Sequence, residues 1–228
     1  MKINNFFLVI LFLSLNGFSQ LQILGRETTQ LATWDLTRKI DPNAKVDNIS
    51  GTPYSETEFF NAQIKISDTL ITAPVRYNVV LDEMEFKRDD QVYALVVKDF
   101  VTVNMNLSKK TYHFVEYTYN NVTKKGFLIK NTENKKVNLF TKEVIEYVPY
   151  KDAPNAYSQP TPPQYKRKND VYLLENQKSI VAMPSKKKEL LALFPDHVNQ
   201  IEAFIKTNKI GLKEVDDLIM LVNFLNTL

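Results

Sequence analysis

The chain has 228 residues, 44% of them hydrophobic and 24% charged, which is enough apolar material for one large domain or two small ones. Its 29 lysines and arginines barely exceed its 26 aspartates and glutamates, and the charges alternate along the chain, unlike the concentrated basic face of a nucleic-acid-binding protein. There is no cysteine, which excludes disulfides, thiol nucleophiles, thiolate metal sites and the lipid-modified cysteine of a bacterial lipoprotein. Secreted eukaryotic domains of this size usually carry disulfides, so the composition favours a bacterial periplasmic protein.

Residues 1–19 predict a secretory signal peptide. Lys2 supplies a basic start, and an apolar run from Phe6 to Leu15 follows that is too short to anchor the chain in a bilayer. Small residues precede a cleavage site after Ser19, so the mature chain is expected to begin at Gln20. No later apolar run is long enough to span a membrane. The sequence therefore predicts a periplasmic or secreted protein without a transmembrane segment in its mature form.

The segment 20–58 is of mixed character, contains the only tryptophan, Trp34, and is interpreted as an N-terminal extension. From residue 59 to 184 the chain alternates apolar and polar residues in short runs separated by turn residues, which is typical of a β-rich domain. Short connections favour sequential hairpins. The exception is residues 150–168, where Pro154, Pro160, Pro162 and Pro163 predict an extended or mobile loop outside any strand ladder.

Residues 185–228 switch to a helical period. Leu190, Leu191 and Phe194 begin a stripe that Pro195 divides, and a last stripe runs from Val215 to Leu225. The predicted fold class is α+β: an antiparallel β-meander, able to curl into a partial barrel, packed by two or three C-terminal helices.

Asp82, Glu83 and Glu85 form the densest acidic cluster. Carboxylates can bind calcium or act as an acid/base pair, but the cluster lacks the glycine of a calcium loop. Alternation places Glu83 and Glu85 on one strand face, opposite Met84 and Phe86. The simpler interpretation is a solvated face whose carboxylates pair with cations across the hairpin, the candidates being Arg76, Lys87 and Arg88.

The remaining candidates each have an ordinary structural interpretation. The only histidines are His113, interpreted as a packed or half-exposed strand residue, and His197, interpreted as a surface residue at a helix start; neither has the partners of a hydrolytic triad or a zinc site. The run Lys186–Lys188 could contact an anionic lipid, although such runs usually form a solvated face. Asp68-Thr69-Leu70 resembles the acceptor tripeptide for O-linked glycans on secreted Bacteroidetes proteins.

Aromatic residues are dense in one predicted strand. They could form a stacking platform for sugar rings or a peptide, or they could be ordinary strand composition. The residues concerned are Tyr112, Phe114, Tyr117 and Tyr119.

Four short segments carry a resemblance to a known group of proteins. They are Gly51-Thr52-Pro53-Tyr54, Glu58-Phe59, Val75-Arg76-Tyr77-Asn78 and Asp82-Glu83-Met84-Glu85-Phe86. This series resembles a group of secreted proteins of unknown function common in Bacteroidetes, whose signal peptides end in Ser-Gln or Ala-Gln and whose tails read like residues 186–228. The resemblance implies a lineage and a compartment, and it assigns no functional residue.

The sequence assigns no catalytic, cofactor-binding or metal-binding residue and implies no cofactor. The favoured function is a non-catalytic binding or scaffold protein of the periplasm or cell envelope. Its partner would be an envelope protein, a glycan or a lipid, and not a nucleic acid. The alternative is an envelope hydrolase that acts through carboxylates such as Asp82 and Glu85.

Overall fold

The computed structural model describes residues 37–40, 49–96, 101–155, 157–176 and 179–228. In these ranges the alternating segments form strands, and the residues after Ser185 form helices. The strands are β1 (Thr37–Ile40), β2 (Phe60–Ile66), β3 (Thr69–Asn78), β4 (Glu83–Arg88), β5 (Gln91–Leu95), β6 (Val101–Met105), β7 (Thr111–Tyr119), β8 (Val122–Lys130), β9 (Val137–Lys142), β10 (Ile145–Val148), β11 (Gln164–Arg167), β12 (Val171–Asn176) and β13 (Ser179–Ala182). The helices are α1 (Lys187–Ala192), α2 (Val198–Asn208) and α3 (Val215–Leu225), with a 3₁₀ turn at Pro195–His197. The predicted signal peptide, its cleavage site and Trp34 lie outside the described residues.

The first half of the sheet departs from a simple meander. Strands β2 to β5 pair in sequential order as expected, but β6 returns to pair antiparallel with β2, from Ala62 opposite Met105 to Ile66 opposite Val101. Periodicity identifies each strand and its buried face, but it does not encode which distant strand becomes its neighbour. This part of the sheet therefore has the order β5-β4-β3-β2-β6-β7.

This half of the sheet curls around its own hydrophobic core. The core gathers buried residues from β2 to β8. Its centre is aromatic: the Tyr77 ring lies 5.0 Å from that of Tyr112 and 6.0 Å from that of Phe127. Four residues share one face of the β3–β4 hairpin and are all buried, namely Val75, Tyr77, Met84 and Phe86.

Strands β7, β8, β9, β12 and β13 form a closed five-stranded barrel, so the predicted curling goes to completion. Successive neighbours in this ring are antiparallel, and with an odd number of strands the closing pair must be parallel. That pair is β13 with β7, which meet at Val181 and Thr118. Each of the five strands contributes one buried residue to the interior: Tyr117, Leu128, Phe140, Leu173 and Ile180.

The C-terminal helices pack on the outside of this barrel, in agreement with the predicted fold class. Leu139 of β9 and Leu174 of β12 alternate with the interior residues and contact the helical cluster that contains the fully buried Leu218. Asn226, just after α3, accepts a hydrogen bond from the Val137 N–H at 3.1 Å and donates one to the Val137 carbonyl at 2.8 Å. Burial of the apolar stripe and these edge bonds hold α3 against β9.

The proline-rich segment is more ordered than the sequence predicts. Strand β11 pairs antiparallel with β10, and the same register continues to a bridge between Lys151 and Thr161. Because the prolines lie before residue 164, the backbone N–H groups of β11 remain available for a ladder. Tyr165 donates its N–H to the Ser50 carbonyl at 2.8 Å. We call residues 145–168, which form this ribbon and its tip, the arm.

Candidate functional site

Asp82 lies in the β3–β4 turn with a positive φ of 56° and makes a partly buried polar contact with the barrel. Its Oδ1 accepts hydrogen bonds from the Tyr77 hydroxyl at 2.5 Å and from the Phe127 N–H at 3.1 Å, and it lies 2.7 Å from Lys142 Nζ. Burial lowers the pKa of Lys142, and Asp82 opposes that shift. Burial, with the charge of Asp82, raises the pKa of Tyr77 well above its usual value. The turn is thereby fixed to β8 and β9.

Gly126 in β8 is required by this contact. A Cβ at that position would overlap Asp82 Oδ2, whose carboxylate cannot swing away without losing three partners. We expect Gly126→Ala to lower the free energy of unfolding by about 2 kcal/mol, the typical cost of overpacking. Adding Asp82→Ala removes the clash, so chemical denaturation should show the double variant less destabilised than the sum of the single variants. Strict additivity would contradict this account.

Glu85 forms the second contact, on the other face of the sheet. Arg76, its cross-strand neighbour, places Nε at 2.8 Å and Nη2 at 2.7 Å from Glu85 Oε2. The Arg76 guanidinium lies over the rings of Tyr54, at 3.7 Å from the centroid, and Phe59, at 4.3 Å. The Asn78 amide also donates to Glu85. Residues from four separate segments, Tyr54, Phe59, Arg76 with Asn78, and Glu85, are therefore adjacent in space.

Of the three cations that the sequence offered, the structure pairs Arg76 with Glu85, and it corrects the predicted surroundings of the pair. Glu85 is not on a solvated face: its residue is 2% exposed. The reason is that residues 50–59 cover this face. The Val79 N–H donates to the Pro53 carbonyl at 2.9 Å, and the Ser55 N–H donates to the Tyr77 carbonyl at 3.0 Å. Glu83 is more exposed and pairs with Arg38 at 2.7 Å.

Asp82 and Glu85 do not converge as a pair of catalytic carboxylates. Glu85 shares the face of Arg76, whereas Asp82 binds the hydroxyl of Tyr77, whose side chain lies on the opposite face. No residue hydrogen-bonds to both carboxylates among the described residues. The two carboxylates therefore fix different faces of the sheet.

Glu143, which follows β9, is buried like Glu85, and it joins distant parts of the chain. Its Oε1 lies 2.8 Å from the Ser55 hydroxyl, 3.0 Å from Lys110 Nζ and 3.2 Å from Arg167 Nη2, and its Oε2 accepts the Tyr112 hydroxyl at 2.7 Å. Burial alone would raise the pKa of Glu143, but the hydrogen bond from Tyr112 and the charge of Lys110 outweigh it, so this pKa is below its usual value. Burial raises the pKa of Tyr112.

The lowered pKa gives Glu143 a defined effect on acid stability. A carboxyl with a depressed folded-state pKa stabilises the fold above its unfolded pKa, and this contribution is lost as the pH falls through the folded value. We expect Glu143→Gln to lower the free energy of unfolding by about 2 kcal/mol at neutral pH, and by less below roughly pH 4. Denaturant melts at pH 7 and pH 3 measure both differences.

Glu133→Gln is the matched control, because its exposed carboxylate pairs only with Lys130 at the surface in the described part of the chain. It should change stability by less than about 0.5 kcal/mol at either pH. If Glu143→Gln lowers the free energy of unfolding by the same amount at pH 7 and pH 3, the charge of the Glu143 carboxylate does not contribute to stability.

The other sequence candidates are dispersed. His113 is half-buried in β7 and meets the Phe140 ring edge-on at 6.4 Å; burial lowers its pKa. His197 lies in the 3₁₀ turn and contacts Gln200. Lys186 and Lys187 are exposed and pair with acidic residues of the helices. The tripeptide Asp68-Thr69-Leu70 lies at the β2–β3 turn.

The four aromatic residues of β7 do not form a shared platform. Tyr112 and Tyr117 are buried in two different cores, and Phe114 and Tyr119 pack partly buried against the first and the second core respectively. Alternation along the strand sends the even and odd positions to opposite faces, which explains the separation. Burial raises the pKa of Tyr117 to about 12.

Exposed aromatic residues lie instead on the arm. Tyr147 is 44% exposed, Tyr150 55% and Tyr157 100%. Tyr147 pairs with Tyr165 across the ribbon, with ring centroids 5.5 Å apart. The sequence did not predict this surface, because the runs 145–148 and 164–167 are only four residues long and are flanked by Pro149 and Pro163.

No group of three or more histidine, aspartate or glutamate side chains in the described ranges could hold a metal ion. None of the helices that the structure describes has the length and apolar character needed to cross a bilayer. Comparison with known proteins found no matching family model, no matching curated protein and no matching solved structure.

Proposed function

We propose that the protein is exported and acts as a non-catalytic binding or scaffold protein of the periplasm or cell envelope. The observation that supports a binding role over hydrolysis is the engagement of two buried carboxylates, Glu85 and Glu143, and of the partly exposed carboxylate of Asp82. Each is held by a cation and by at least one neutral hydrogen-bond donor. A carboxylate so engaged stabilises the fold and is a poor proton donor or acceptor for a substrate.

Export is supported by the basic start, short apolar run and small residues of positions 1–19, and by the absence of cysteine. The resemblance to secreted Bacteroidetes proteins points to the same compartment. The exposed tyrosines of the arm supply the surface that a binding protein needs.

Expression of the full chain in a Bacteroidetes host, followed by fractionation and mass spectrometry, tests this proposal. We expect a mature N-terminus at Gln20 and association with a periplasmic or envelope fraction. An intact Met1 terminus, or a purely cytoplasmic protein, would refute export. Envelope-polymer hydrolysis by the purified protein, abolished by Glu85→Gln, would refute the non-catalytic role.

A further inference from the structure

The β2–β3 hairpin ends in a turn whose polar side chains make no contacts that hold the fold. Ser67, with a φ of 50°, and Asp68 form the turn, and Thr69 begins β3 opposite Ile66. Asp68 is exposed, and Leu70 is 60% exposed. Within the described part of the chain, neither Asp68 nor Thr69 has a side-chain hydrogen bond or an ion pair. Both side chains are therefore available to another molecule.

The hydroxyl of Thr69 reaches solvent, although the residue as a whole is only partly exposed. Its Oγ1 has no hydrogen-bond partner among the described residues, and it is not one of the partnerless polar atoms that are sealed from water. Buried threonines of the barrel region differ, because Thr132 donates to Asn138 and Thr141 donates to Asn131. Thr69 therefore presents an accessible oxygen nucleophile at the hairpin tip.

The sequence around this hydroxyl is the acceptor-like tripeptide Asp68-Thr69-Leu70. Nowhere else in the chain does an aspartate directly precede a serine or threonine. The fold places this tripeptide at a turn rather than inside the strand ladder. An enzyme that approaches the turn meets a carboxylate, a hydroxyl and an exposed aliphatic side chain on consecutive residues. The structure thus meets the requirement of accessibility that a modification site imposes.

The chemistry of the turn favours a neutral group on Thr69 over a phosphoryl group. A phosphate would place additional negative charge directly beside the Asp68 carboxylate, and like charges in close sequence repel. The same carboxylate has no such conflict with a sugar. A glycan at a hairpin tip also projects into solvent without displacing a packed side chain.

We propose that Thr69 carries an O-linked glycan, added after export by a separate glycosyltransferase that recognises Asp68 and Leu70. Thr69 Oγ1 forms a bond to the anomeric carbon of a glycosyl pyrophosphate donor. The bond from that carbon to the pyrophosphate oxygen breaks, and the hydroxyl proton passes to a base of the transferase. This inference rests on the export that the proposed function includes.

Mass spectrometry of the exported protein tests the proposal. The full chain is expressed in the Bacteroidetes host, and the mature protein is digested with trypsin, which releases residues 66–76 as one peptide. We expect this peptide to be heavier by a series of sugar residues, with fragmentation placing them on Thr69. Thr69→Ala should abolish the added mass, and Thr69→Ser should retain it. Asp68→Asn leaves the hydroxyl in place and should lose most of the modification.

Thr72→Ala is the matched control, because Thr72 is an exposed threonine of the same strand and the same peptide but follows Ile71. It should be modified as the wild type is. Thermal melts of Asp68→Asn should match the wild type, since the Asp68 side chain has no partner to lose in the described residues. Added mass that persists in Thr69→Ala, full modification of Asp68→Asn, or added mass equal to a phosphate would each overturn the proposal.

Failure of this inference is distinguishable from failure of the proposed function. An exported wild type that begins at Gln20 and yields an unmodified peptide 66–76 refutes the glycan and leaves export and the binding role intact. A wild type that keeps Met1 and stays in the cytoplasm refutes the proposed function, and the glycan with it.

Discussion

Leu218→Asp should be the most damaging single substitution in the C-terminal helices, with an expected loss of about 4 kcal/mol in the free energy of unfolding. Leu218 has no exposed surface and lies in the cluster that joins α3 to Leu139 and Leu174 of the barrel. The substitution removes a buried aliphatic side chain and places an unpaired carboxylate in an apolar contact. A thermal melt should show a strongly lowered midpoint or no cooperative transition.

Met220→Asp is the matched control on the same helix, because Met220 is 46% exposed. It should shift stability by less than about 1 kcal/mol. If Leu218→Asp melts like the wild type and changes only the elution volume in size-exclusion chromatography, the stripe of α3 would serve association with another molecule rather than the fold.

The second large effect is expected at the Arg76–Glu85 pair. Glu85→Leu should cost about 3 kcal/mol, since it leaves the largely buried guanidinium of Arg76 over two aromatic rings without its counter-charge. Arg76→Met in the same background removes that orphaned charge, and an apolar pair of similar volume is often as stable as a buried ion pair. The double variant should therefore recover most of the loss.

Denaturant titration of the wild type, both single variants and the double variant measures the coupling between the two positions. The expected coupling energy is about 2 kcal/mol or more, of the sign that favours the double variant. A Glu85→Leu variant as stable as the wild type would mean that the pair is solvated, as the sequence alone suggested.

The comparison of sequence and structure at Glu85 shows what periodicity can and cannot predict. Alternation with Met84 and Phe86 correctly separated two faces of β4, and Arg76, the partner of Glu85, was one of three cations it offered. It could not show that Tyr54, some thirty positions earlier, folds over the second face. The local pattern predicts which residues of a strand lie on each face. It does not predict that the segment containing Tyr54, which has no periodic pattern, covers one of those faces.

The cluster at Glu143 was invisible for a related reason. Its partners Ser55, Lys110 and Arg167 come from segments far apart in the chain, and each is an ordinary polar residue in its own surroundings. Their convergence depends on the pairing of β6 with β2 and on the arm, both long-range choices that short windows do not specify. The helices were predictable because each has a long apolar stripe. Such a stripe can pack against any apolar surface, here the outer face of the barrel, without specific polar partners.

The parallel contact of β13 with β7 has a consequence for how the chain acquires its structure. The strand that completes the ring is separated from its partner by some sixty residues, from Thr118 to Val181, so the ring stays open until nearly the whole chain has left the ribosome. Loop-closure entropy makes such a late, distant contact slow to form. Nascent chains stalled before Ser179 should remain sensitive to protease in β7, and those extended through Leu228 should become resistant.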